Sequence, residues 1–134
     1  MDRTKAIDFI KNFLNSSMSA KKQAQSFVSK NFMLTFTGGR RFERAGQIGE
    51  FNALRYKNVK KDIKDWDFCE YPDGRVVIYC LGTLYGEWRD GKPFEGNRFI
   101  DRFEIRNGLI EKIDVWNDSA EILLSRAGLA EDQK

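Results

Sequence analysis

Beyond Val59 the hydrophobic period of the chain switches to two and holds almost to the end, in long stretches separated by Pro72-Asp73-Gly74, Asp90-Gly91 and Asn107-Gly108. Period-two alternation places successive side chains on opposite faces of an extended chain. Asp-Gly or Asn-Gly between two such stretches is the strongest short-range hairpin signal. A first strand at about Val59 to Tyr71 and three long strands after it therefore predict an antiparallel meander, and a helical bundle is excluded for this half.

The first third carries the other period. In Thr4 to Leu14, the residues Ile7, Ile10, Phe13 and Leu14 recur at helical spacing and predict an amphipathic helix. Ser19 can cap a second helix whose inner face carries Ala20, Ala24, Phe27 and Val28. Phe32 to Phe36 alternates as a short strand. Thr37-Gly38-Gly39-Arg40-Arg41 then turns the chain, without the Gly-Lys-Ser/Thr ending of a phosphate loop. Glu43 to Tyr56 predicts a weaker helix, because Gly46 and Gly49 each disfavour it by about 1 kcal/mol. At the other end, Asp118 followed by Glu121 resembles a capping box for a short helix of Ile122, Leu123 and Leu124, closed by Gly128, and the polar tail Ala130 to Lys134 is expected to fray. Helices gathered on one face of a mainly antiparallel sheet make the fold class α+β. A chain of 134 residues, 41% hydrophobic, is expected to form one domain over 1–134.

Composition removes several kinds of chemistry. There is no histidine, which excludes imidazole bases, Ser-His and Cys-His nucleophiles and the commonest zinc sites, so no metal or cofactor is expected. Acid–base work falls to carboxylates, Lys, Tyr or Cys. A net charge of +3 with both signs interspersed argues against a nucleic-acid partner. The densest basic cluster, Arg55, Lys57, Lys60, Lys61 and Lys64, reads as a solvated surface. If Pro72-Asp73-Gly74-Arg75 turns tightly, Cys69 lies opposite position 78 and Cys80 is only its diagonal neighbour, so no disulfide is expected. Charges among the apolar residues of the N-terminus exclude a secretory leader, and no run approaches a membrane span. A reduced, cytoplasmic protein is the expectation.

Strand parity singles out one acid. If Asp90-Gly91 is a two-residue loop, Arg89 pairs with Lys92 and Asp101 falls opposite Cys80. One face then carries Val76, Ile78, Cys80, Gly82, Leu84, Gly86 and Trp88 with Phe99, Asp101, Phe103 and Ile105, which is apolar except for Asp101. A carboxyl group in such company is neutral, paired or useful. The other face mixes aromatic and charged groups, as a dimer interface does. A two-residue Asn107-Gly108 loop would put Asp114 and Trp116 beside Asp101. A three-residue Arg106-Asn107-Gly108 loop with a glycine bulge would put Ile113, Val115 and Asn117 there, and is expected because it keeps the apolar pair inside.

The Phe-Thr-Gly-Gly turn, the segment Leu-Tyr-Gly-Glu-Trp-Arg-Asp-Gly-Lys-Pro-Phe and the ending Phe-Ile-Asp-Arg-Phe-Glu-Ile-Arg-Asn-Gly-Leu-Ile-Glu-Lys-Ile-Asp-Val-Trp-Asn-Asp resemble the SnoaL-like branch of the nuclear-transport-factor-2-like superfamily. The resemblance spans nearly the whole chain. It implies a cone-shaped sheet wrapped around N-terminal helices, with a ligand cavity at its open end and a homodimer formed through the outer sheet face. Asp101 matches the aspartic acid that ketosteroid isomerases keep protonated to hydrogen-bond an enolate oxygen, and Asn117 is placed at the cavity. The other positions depart from those isomerases: their helix-borne Tyr corresponds to Phe9 or Phe13, and their Asp base falls near Thr35. The Arg-x-Asp of the epoxide hydrolases falls near Gly82 to Leu84. The resemblance thus implies a module that binds a small hydrophobic ligand through Trp88, Phe99, Phe103, Ile113 and Asn117. The alternative is an isomerase, cyclase or dehydratase of a small hydrophobic carbonyl compound, with Asp101 as acid or hydrogen-bond donor.

Overall fold

The computed structural model describes residues 1–19 and 21–131. Helix α1 (Arg3–Ser19) leads into a short α2 (Lys21–Ala24), a 3-10 turn at Gln25–Phe27 and strand β1 (Val28–Thr35). Strand β2 (Arg41–Phe42) and helix α3 (Gln47–Arg55) follow, then β3 (Tyr56–Glu70), β4 (Val76–Trp88), β5 (Pro93–Arg106), β6 (Leu109–Asn117) and α4 (Ser119–Arg126). The strands form a single curved, open sheet in the order β2-β1-β6-β5-β4-β3. The meander expected from β3 to β6 is present. Unforeseen was β1, which joins the free edge of β6 in parallel and makes the sheet mixed.

Several boundaries move for local reasons. The chain is already extended at the β-branched Val28, so β1 begins four residues before the expected Phe32 and the second helix ends at Ala24. Ala20, placed on that helix's inner face by its sequence, lies outside the described residues, as do the side chain of Ser19 and residues 132–134 of the tail. Helix α3 starts at Gln47, not Glu43, and the Gln47 Oε1 accepts the backbone N–H groups of both Glu43 and Arg44 at 2.9 Å. That side-chain oxygen satisfies two N–H groups which, in the first turn of a longer helix, would have had no intrahelical acceptor.

Side chains of α1, β1 and the inner faces of β4, β5 and β6 meet in one core. Its most enclosed members include Phe13, Ile10, Leu34, Ile78, Phe103, Ile105, Ile110 and Ile113.

The expected pairing of Asp101 with Cys80 is correct, but the turn that implied it is not. The β4–β5 loop holds three residues, Arg89, Asp90 and Gly91, with Trp88 N–H donating to Lys92 O at 2.9 Å. Left alone, this would shift every later pair by one. An extra residue at Glu95–Gly96 of β5 restores the register, so that Leu84 meets Asn97 and Cys80 meets Asp101.

The β5–β6 connection repeats the pattern in reverse. The turn is a two-residue Asn107-Gly108 with φ of 52° and 75°, the type I′ geometry, and not the expected three-residue loop. A bulge at Glu111 then exchanges the faces, so Phe103 meets Ile113, Asp101 meets Val115 and Phe99 meets Asn117. Ile113 and Val115 are buried, as expected, while Trp116 faces solvent.

Asp118 does not cap α4. Its carboxylate pairs with Arg98 at 2.6 Å and makes no capping hydrogen bond. Asn117 Oδ1 instead accepts the Ser119 N–H at 3.1 Å, and Asp118 O accepts the Ile122 N–H. Asn117→Ala is therefore expected to cost about 1 kcal/mol in urea denaturation, and Asp118→Ala less than Asn117→Ala.

Candidate functional site

The site is made by a strand out of step. In β3, apolar residues face inward at Trp66 and Phe68, and again at Val59 and Ile63, on opposite parities. A bulge at Lys64 reconciles them, because Ile63 meets Gly82 while Asp65 meets Leu81. The same bulge turns Lys61 inward, opposite Leu84. Lys61 was expected on a solvated basic surface, and the structure overturns that. Its Nζ donates directly to Asp101 Oδ2 and lies 4.8 Å from the centroid of the Phe99 ring.

Two glycines of β4 allow β3 to fold this close. A Cβ on Gly82 would stand 2.0 Å from the carbonyl oxygen of Asp62, and one on Gly86, whose φ is +148°, would stand 2.4 Å from that of Asn58. Isolated glycines within a strand pattern signal a close backbone approach.

Asp101 is 2% exposed and lies between Phe99 and Phe103, with Cys80 and Val115 on the neighbouring strands. It is not alone, as its sequence context suggested. Oδ2 is paired with Lys61, whereas Oδ1 is buried and has no hydrogen-bond partner among the described residues. The Cys80 thiol beside it is pushed up to about 12 by burial, a rise that Asp101 reinforces and Lys61 opposes. Both cysteines are free. At pH 8 the exposed Cys69 should alkylate with iodoacetamide, while Cys80 should react only after denaturation, as read by intact mass; equal labelling of the two in native protein would contradict the geometry.

A cavity of about 90 Å³ opens against this pair. It is small against the roughly 300–1,000 Å³ of sites for drug-sized ligands. Phe99, Phe103, Ile113, Asn117 and Asp101 all line it, joined by Lys61, Phe13 and Tyr56. Trp88 does not. Its ring is buried between Phe94, at 4.3 Å, and Tyr56, at 5.4 Å, so it serves packing beside the cavity and does not face into it.

Where the isomerases carry their helix-borne Tyr, Phe13 reaches the cavity, while Phe9 packs on Phe27 at 5.3 Å between centroids. Thr35 pairs with Arg41 and Asp114 on its neighbouring strands and is not part of the lining. The Tyr56 hydroxyl is spent on Ser119 Oγ at 2.6 Å. Lys61, Asp101, Asn52 and Asn117 are further polar residues of the lining. Among the described residues there is no cluster of His, Cys, Asp and Glu that could hold a metal ion, and no helix long and apolar enough to cross a membrane.

No family model and no curated protein sequence matches the chain. Solved structures do match it, over nearly its whole length. AclR from Streptomyces galilaeus, described as a candidate hydroxylase, is 10% identical and superposes with a TM-score of 0.70, covering 99% of this chain and 87% of its own. A nuclear-transport-factor-2-like protein from Burkholderia xenovorans is 14% identical, with a TM-score of 0.67 and coverage of 95% and 98%. A candidate SnoaL-like polyketide cyclase from Jannaschia is 13% identical, with a TM-score of 0.64 and coverage of 92% and 95%. At such identities the likeness establishes architecture and leaves chemistry to the site. The chain therefore has the nuclear-transport-factor-2-like fold, in the form shared with SnoaL-like proteins.

Proposed function

We propose that the chain is a binding module for a small, mostly apolar molecule held in the cavity against Lys61 and Asp101. One observation carries this reading: the buried Asp101 carboxylate and its partner Lys61 line a mostly apolar cavity together with Phe13, Phe99, Phe103 and Ile113.

The module is further proposed to pair with a second copy through the outer face of the sheet. Tyr85 and Trp116 are exposed there, at 42% and 54%. Elsewhere on that face Arg102 and Arg75 each bond Glu104 at 2.9 Å, and although burial pushes the Glu104 carboxyl up, these guanidiniums more than offset it. An aromatic surface whose charges are already paired suits association. Native mass spectrometry of freshly purified protein tests both statements, with a dimer carrying a co-purified small molecule expected. An empty monomer in every preparation would count against them.

A second reading is favoured by the same pair. Lys61 and Asp101 together are a proton donor and acceptor at the cavity wall, as an isomerase, cyclase or dehydratase acting on a carbonyl compound requires. Under it, Asp101→Asn abolishes turnover of a substrate identified by the mass measurement while leaving its affinity within about tenfold. Unchanged turnover excludes that chemistry and leaves the binding module.

A further inference from the structure

Of the Lys61–Asp101 pair, Lys61 is the member that offers the cavity a reactive face. Asp101 has 3% of its side chain exposed and Lys61 26%. An ammonium group has three donors, and Nζ makes one hydrogen bond among the described residues, to Asp101 Oδ2. It lies beside the Phe99 ring, in a lining that includes Phe13, Phe103 and Ile113. Lys61 is also the one lysine of that lining, whereas Lys57, Lys60 and Lys64 of the same strand are exposed.

Resting on the binding reading above, we infer that Lys61 is a nucleophile that condenses with a small aliphatic aldehyde or ketone, holding it in the cavity as a protonated imine with Asp101 as counter-ion. Asp101 Oδ2 first takes a proton from Nζ, and the freed lone pair forms a bond to the carbonyl carbon. The C=O π electrons move to oxygen, which takes up a second Nζ proton and becomes a hydroxyl. Asp101 then returns its proton to that hydroxyl, the C–O bond breaks, and water leaves as the nitrogen lone pair forms the C=N bond. Nothing is oxidised or reduced, and Nζ carries one positive charge before and after.

That conservation of charge is why the pair suits this chemistry. A buried carboxylate that loses its counter-charge is costly. The protonated imine keeps the charge that Asp101 needs and adds only apolar atoms to an apolar space. A lysine held against hydrophobic walls is the setting in which such nucleophiles work. The volume of about 90 Å³ confines the partner to a few carbon atoms, since one water already occupies about 30 Å³ of the liquid.

Incubation of the whole chain with acetaldehyde, propanal or butanal and cyanoborohydride, which reduces an imine to a stable amine, tests the inference by peptide mass mapping. Lys61 is expected to be alkylated before Lys57, Lys60 and Lys64. Its lead over them should rise about fourfold for each added methylene, because only the cavity removes the chain from water. The double variant Lys61→Met/Asp101→Leu, which removes both charges together, should show no site with that dependence on chain length.

Methyl NMR of Ile113 with 1-butanol, which forms no imine, separates this inference from the binding reading. Alkylation of Lys61 no faster than its exposed neighbours, with butanol shifting Ile113, overturns the nucleophile and leaves the binding module standing. A lead at Lys61 that does not grow with chain length overturns the seat in the cavity. Absence of both the lead and the Ile113 shift overturns the binding module as well.

Discussion

Lys61→Met is expected to lower the unfolding free energy by about 3 kcal/mol, because it leaves the Asp101 carboxylate buried without its counter-charge. The asymmetry of the pair sets that value. Asp101 has 3% of its side chain exposed and cannot recover water, whereas Lys61, at 26%, loses less when its partner goes. Breaking a buried pair from one side typically costs 3–5 kcal/mol, and the partial exposure of Lys61 places this pair at the lower end. Removing both charges is a different experiment. Lys61→Met/Asp101→Leu exchanges the pair for apolar groups in an apolar setting, and is expected to recover most of the loss. Urea denaturation of the two variants decides the matter: if the single variant unfolds at the wild-type midpoint, Asp101 does not depend on Lys61.

Gly82→Ala is expected to cost about 3 kcal/mol, at the upper end for overpacking. The added Cβ would meet backbone, the Asp62 carbonyl carbon at 3.0 Å and its oxygen at 2.0 Å, so no side-chain rotation can make room. Strand β3 must move away from β4. Since Asp62 is bonded to Lys61 in the chain, that displacement also draws Lys61 off Asp101, and the loss should not add to that of Lys61→Met in the combined variant. Full additivity would show that the close approach at Gly82 and the ion pair are independent.

These predictions both concern a residue that the sequence hid in plain view. Among Arg55, Lys57, Lys60, Lys61 and Lys64, residue type alone gives no reason to single out Lys61. A signal was nevertheless present. Val59, Lys61 and Ile63 share one parity and Trp66 and Phe68 the other, and an apolar pattern that changes step within a strand implies an extra residue between them. Gly82 and Gly86 in the neighbouring strand marked where the backbones close up.

The turns teach the converse lesson. The β4–β5 and β5–β6 hairpins have loop lengths other than those expected, yet their faces come out as predicted, because each is corrected by a bulge at Glu95–Gly96 or Glu111. A strand buried on one face tolerates an unexpected loop more readily than the exposure of its whole apolar set. Asp118 failed as a cap for a local reason: its neighbour Asn117 reaches the Ser119 N–H, leaving the carboxylate to Arg98.

By itself, then, the sequence determined which side chains of β4, β5 and β6 face the core and that Asp101 is among them, because burial enforces period two whatever the turns do. It also excluded histidine chemistry outright. Only the tertiary structure decided what Asp101 meets, because Lys61 lies 40 residues away on a non-adjacent strand and reaches it through a bulge and a close strand approach. Pairing across a curved sheet depends on where the backbone bends, and that is settled by the whole packed sheet and not by any one segment of it.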